Sequence, residues 1–253
     1  MFVWRMAGAS HPGRVRCRNE DHVCLDEPHG LAVLADGMGG HAGGIVASRL
    51  TVLAWMEYMQ QVVTSGRPGE DDLRAACTCA NRAVCHAAAV EAGLRGMGST
   101  LAGIHVTQSG QVFICHVGDS RVYRLRALGL QCLTRDHSVL REQVDAGMIA
   151  EEAAGAFALR GLLTRAIGAE PEVLPDVTTG WARGGDVYLL CSDGLTEMVA
   201  EADIARVLVD LGMHPRLASI RLVEMANERG GVDNVSVVVV SSLQGHRPQG
   251  SVE

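Results

Sequence analysis

Residues 31–44 read LAVLADGMGGHAGG. The opening apolar run reads as a strand. Asp36 stands at the end of that run, and a glycine-rich turn follows it. The turn opens a helical stretch over residues 44–63, with Val46, Leu50, Leu53, Ala54 and Met56 on its apolar side. Two chemistries fit a strand–glycine–helix junction. One is a strand-end carboxylate that serves as a metal ligand or base. The other is a dinucleotide fingerprint, because Gly37, Gly39 and Ala42 match G-x-G-x-x-A. Asp36 weighs against the second, since it would set negative charge beside a pyrophosphate. So does the chain beyond: the loop SGRPGED (65–71) leads to a second helix over 71–92, not to the parallel strand that a dinucleotide unit needs.

Working outward, strands are expected over residues 2–9, 22–27 and 30–35 on the N-terminal side. After the helix pair come the β-type runs STLAGIHVT (99–107), QVFICHVGD (111–119) and RVYRLR (121–126). Residues 138–161 are polar and helical in composition. Strands return over 173–179 and 187–191, helices over 201–211 and 215–229, and VSVVVVSSL (235–243) closes as a buried strand. Strand blocks and helix pairs thus alternate in groups. The fold class is α+β, with antiparallel sheets covered by pairs of helices.

The 253 residues suffice for one large domain, and a hydrophobic share of 47% with 20% charged residues belongs to a packed globular chain. The net charge of −7 argues against nucleic acid and anionic membrane as partners. All 22 basic residues are arginine, which excludes phosphate-loop NTPase, Schiff-base and lysine-dependent kinase chemistry. The 8 cysteines form no CxxC pair and mostly sit in apolar runs, so they read as reduced thiols. No long apolar core marks a signal peptide or a membrane span, and a cytoplasmic location is expected.

Asp36 in LAVLADG, Asp119 in CHVGDSR, Asp193 in LLCSDG and Asp233 in GGVDN each follow an apolar run or a glycine turn. Any one of them alone reads as a turn or cap residue. Together they suggest carboxylates held on rigid strand ends, and carboxylates that converge need a cation between them. Oxygen-only ligands favour magnesium or manganese. Among the histidines, His116 reads as structural and His137 in RDHS as a loop anchor.

The ordered segments GRVRCRNED, VLADGMGGHAGG, MGSTL, VGDSRVYRL, LTRDHS, LLTRAIG, LLCSDGLTEM and GGVDNVSVVVV resemble the bacterial metal-dependent protein phosphatases of type 2C, from about residue 10 to 240. The resemblance implies a sandwich of two antiparallel sheets flanked by helix pairs. It implies a single catalytic domain over 1–242 with a small helical flap near 138–161, and a frayed tail over 243–253. It implies two Mn2+ or Mg2+ ions. Asp36 bridges them, the Gly37 carbonyl ligates one, and Asp193 and Asp233 complete the pair. Asp119 with Asp193 matches a third, weaker metal position. Glu20 and Asp21 match acidic residues that bind metal-coordinated waters. Arg16 matches the arginine that grips the substrate phosphate. His41 matches a general acid, with a helix N-terminal structural role as the alternative. The function so implied is hydrolysis of phosphoserine and phosphothreonine in proteins by a monomer, opposing a bacterial serine/threonine kinase. The alternative is a catalytically inactive phosphoprotein-binding scaffold of the same fold.

Overall fold

The computed structural model describes residues 1–39, 43–66, 68–150 and 161–244. Its strands are β1 (Phe2–His11), β2 (Asp21–Asp26), β3 (Leu31–Met38), β4 (Gly98–Ser99), β5 (Leu101–Val106), β6 (Gln111–Val117), β7 (Arg121–Arg126), β8 (Gly129–Cys132), β9 (Asp176–Trp181), β10 (Val187–Cys191) and β11 (Val235–Gln244). Its helices are α1 (Gly43–Ser65), α2 (Glu70–Val90), α3 (Val139–Asp145), α4 (Asp193–Thr196), α5 (Glu201–Leu211) and α6 (Pro215–Glu228).

One sheet has the order β1-β11-β10-β7-β8 and the other β2-β3-β5-β6-β9, with β4 paired to β3. Every pairing between these strands is antiparallel. That excludes the dinucleotide unit, whose strands run parallel.

The apolar runs without alternation have a direct cause. On β3, Leu31, Val33 and Ala35 pack under α1 and α2, while Ala32 and Leu34 face the opposite sheet. On β11, Val235, Val237 and Val239 pack under α5 and α6, while Val238 and Val240 face inward. The core between the sheets joins Ala32, Leu34, Ile104 and Ile114 to Tyr188, Leu190, Val238 and Val240. The layers are therefore helix pair, sheet, sheet, helix pair, as the sequence implied.

Some elements depart from expectation. β9 starts at Asp176 rather than 173, because Pro175 cannot donate to the ladder. The short edge strand β8 and the single turn α4 were not expected. β11 runs to Gln244 rather than fraying from 243, because its last residues pair with β1, Phe2 opposite Gln244. Residues 245–253 lie outside the described residues. Of the expected flap, α3 is helical over Val139–Asp145, and residues 151–160 lie outside the described residues. No helix among the described residues is long and apolar enough to cross a membrane. The cysteines are free; Cys77, Cys115 and Cys191 are buried, whereas Cys17 is exposed.

Candidate active site

The antiparallel order brings distant carboxylates to one end of the sandwich. β2 begins with Asp21 and β3 ends just beyond Asp36, and the two residues face each other in the ladder. Asp119 lies in the turn from β6 to β7. Asp193 follows β10, and Asp233 precedes β11. A basin of about 560 Å³ opens there, and Asp36, Gly37, Asp119, Asp193, Asp233 and Glu20 line it. Arg16, Cys17 and Arg18 form part of its rim. Asp21 lies beneath the basin rather than on its wall; its Oδ2 accepts from Ser192 Oγ at 2.8 Å.

Asp36 is held at both ends of its own peptide. Its N–H donates to Thr100 Oγ1 at 2.9 Å, and its carbonyl accepts from Thr100 N–H at 2.8 Å and from Ser99 Oγ at 2.9 Å. Thr100 Oγ1 in turn lies 2.6 Å from Ser120 Oγ, next to Asp119. Gly37 has no alternative residue: a Cβ there would lie 2.0 Å from the Gly44 carbonyl at the start of α1.

The electrostatics record the convergence. Burial, then the charges of Asp21, Asp193, Asp119 and Asp233, hold the Asp36 carboxyl well above the usual carboxylate range. Burial, then Asp119, Glu197 and Asp233, do the same to Asp193. Burial pushes Asp21 and Asp119 up to about 6. Like charges gathered in a dry place favour protons or cations.

Arg16 touches the cluster. Its Nη2 donates to Asp233 Oδ2 at 2.7 Å, and this pairing raises its pKa further. The same guanidinium sits at the basin mouth. His41 lies outside the described residues. His137 anchors the turn before Asp119: its Nδ1 accepts from Gly118 N–H at 3.1 Å, and its own N–H donates to the Gly118 carbonyl at 2.8 Å. His116 is buried against it, ring centroids 4.5 Å apart, and burial pushes it down to about 4.

The donor set fits a hard divalent cation. Its side-chain donors are carboxylates, and Asp193 Oδ1 is buried without a hydrogen-bond partner. Among the described residues, no three of His, Cys, Asp or Glu are gathered closely enough to hold an ion alone. A basin of this kind suits ions that keep part of their water shell, as magnesium does. Sequence reading assigned no role to Thr100, Ser120 or Asn234, although MGSTL and GGVDN contain two of them.

The protein phosphatase 2C family model matches residues 7–225. The serine/threonine protein phosphatase PstP of Mycobacterium tuberculosis is 40% identical over 243 residues, which is 94% of this chain and 45% of that protein. This chain thus spans less than half the length of that relative. The serine/threonine phosphatase Stp of Listeria monocytogenes is 37% identical over 235 residues, covering 90% of this chain and 92% of that one. The crystal structure of the mycobacterial PstP matches at TM-score 0.86 and 39% identity, covering 96% of this chain and 100% of that one. A crystal structure of the catalytic domain of a serine/threonine protein phosphatase PstP in complex with 2 manganese ions matches at TM-score 0.84 and 38% identity, with the same coverage. The fold is a two-sheet α+β sandwich flanked by helices, with an acidic basin at one end. The chain belongs to the protein phosphatase 2C family.

Proposed function

We propose that this protein is a metal-dependent serine/threonine protein phosphatase that opposes a bacterial serine/threonine kinase. One observation carries the reading: Asp36, Asp119, Asp193 and Asp233 converge on a single basin with Arg16 at its mouth. Asp36, the Gly37 carbonyl, Asp193 and Asp233 would hold a binuclear manganese or magnesium centre, and Asp119 with Asp193 a third ion. When bound, such ions supply a water of lowered pKa and cancel charge on the phosphoryl group.

The chain's own groups do the rest. Arg16 offers a planar fork of donors to the phosphoryl oxygens and fixes their orientation. Glu20 on the basin wall and Asp21 beneath it accept hydrogen bonds from waters and orient them. His41 would hand a proton to the serine or threonine alkoxide as it leaves. The relatives PstP and Stp, both named serine/threonine phosphatases, support the reading. The full carboxylate set argues against an inactive scaffold, which has no need to keep it.

Purified protein should hydrolyse a phosphothreonine peptide with Mn2+ or Mg2+ and stop on addition of EDTA. Asp36→Ala and Asp233→Ala should each lower kcat/KM by about 100-fold or more, as removal of a charged metal ligand does. Equal turnover in EDTA would overturn the metal assignment. Tight phosphopeptide binding without any turnover would favour the scaffold.

A further inference from the structure

The rim loop over residues 12–20 carries Arg16 and Glu20 but contributes little to the core; residues 14–18 are exposed. One buried side chain from across the basin stitches it down. Asn234, 5% exposed, accepts from Glu20 N–H through Oδ1 at 2.8 Å. Its Nδ2 donates to the Pro12 carbonyl at 2.9 Å and to the Arg18 carbonyl at 2.8 Å. Both donors and the acceptor are engaged, and all three partners belong to this one loop. The reversed amide would set its oxygen against two carbonyls, so the network fixes the orientation.

The seam is close elsewhere too. Arg14 N–H donates to the Gly231 carbonyl at 2.7 Å. Gly13, at φ +81°, has its virtual Cβ 2.3 Å from the Asp233 carbonyl. Aspartate at position 234 would lose both donors, and alanine would lose every contact. We infer that Asn234 is a positioning residue for substrate recognition: it fixes the arm of residues 12–20 so that Arg16 meets the substrate phosphate. This rests on the proposed role of Arg16. A long, exposed arginine on a loose arm pays ordering entropy each time it binds; on a tethered arm much of that cost is met in advance.

The test is a double-mutant cycle on the full chain with Mn2+ and a phosphothreonine peptide. Asn234→Ala removes all three contacts. Asn234→Asp keeps the acceptor for Glu20 N–H and serves if the alanine variant does not fold. Each should raise KM by about 10-fold with kcat within about 3-fold of wild type. In an Arg16→Ala background the same changes should move KM by less than about 2-fold, because the arm then presents nothing. Amide exchange over residues 14–20 should quicken in both variants, a readout that needs no turnover. The Mn2+ affinity, measured by calorimetry, should stay within about 3-fold of wild type. Equal KM penalties with and without Arg16, or unchanged exchange, would leave Asn234 a purely structural residue. A larger fall in Mn2+ affinity would show it acting through Asp233 instead. If Arg16→Ala alone keeps the wild-type KM, the reading of Arg16 fails first. A raised KM in Arg16→Ala together with a full Asn234 penalty overturns only the positioning role.

Discussion

Asp36 shows how a single residue carries opposed demands. Its peptide is pinned by Thr100 and Ser99, so the carboxylate cannot drift away from its neighbours. Those neighbours and burial hold its pKa well above the usual range. A group whose folded pKa is raised contributes stability at low pH and loses it as pH climbs from the ordinary value through the folded one. Asp36→Asn cannot ionise and should escape that loss. With chelator present, the variant should therefore melt near wild type at pH 4. It should melt above wild type at pH 7.5, by a few degrees for about 1 kcal/mol in a chain of this size. Saturating Mn2+ should reverse the order, because only the aspartate offers the ion a charge. Melting curves across pH check both halves, and a gap that does not change with pH would count against the carboxylate cluster. Asp36, Asp119 and Asp193 were legible in the sequence because each closes an apolar run, and Asp233 because it follows a glycine turn and opens one. Asn234 was not, because an amide's value depends on three partners, Pro12, Arg18 and Glu20, that lie far away in the chain.

At the scale of elements, the hinge between β4 and β5 has more to do than join strands. Thr100 sits between them, receives the Asp36 N–H, and lies 2.6 Å from Ser120 Oγ in the turn that carries Asp119. One hydroxyl thereby registers β3 against the β6–β7 turn, and two of the candidate ligands move together. Thr100→Val keeps the volume and removes the hydroxyl. It should cost about 1–2 kcal/mol of stability, since a buried N–H is left unpaired. It should also weaken Mn2+ binding by about 10-fold, the usual penalty for losing a partner that orients a ligand. Calorimetric titration reads the second effect, and wild-type affinity would show that Asp36 needs no such support. Most elements were legible because each has its own period or run, β3, β11, α1 and α2 most plainly. β9 was expected from 173, but it is mostly exposed, and its bounds follow from the edge that β6 offers and from Pro175 at its start. β8 has only a short alternation to announce it, and it pairs with β7 for the same reason. Such strands are decided by their partners rather than by their residues.

Across the whole molecule, chemistry and fastening occupy opposite ends of the sandwich. β10 runs from Val187 at the far end to Cys191 beside Asp193, and β7 runs antiparallel to it from Arg121 to Arg126. The partnership of β1 with β11 joins the beginning and end of the described chain and has no local signal, so strand order was the least legible feature. At the far end, Asp186 is almost fully buried and accepts Arg126 Nε at 2.9 Å, Arg126 Nη2 at 2.6 Å and Arg183 N–H at 2.7 Å. Arg126 Nη2 also donates to the Trp181 carbonyl at 2.8 Å, on β9 of the other sheet. One guanidinium therefore clasps both sheets and satisfies a buried carboxylate. Arg126→Met keeps the reach of the side chain and removes its donors and charge. Breaking a buried pair from one side should cost about 3 kcal/mol here, because Asp186 stays buried and loses both guanidinium donors. For a chain of this length that lowers Tm by about 6–12 °C. The basin lies at the other end of the strands, so kcat/KM at 25 °C should stay within about 2-fold of wild type where the variant is folded. Variants of the basin should behave in the opposite way, losing turnover at little cost in Tm. Thermal melts and initial rates on the same preparation separate the two. A variant that keeps its Tm would show that this clasp does not hold the sheets together, and one that loses turnover while folded would show that its role is not confined to that.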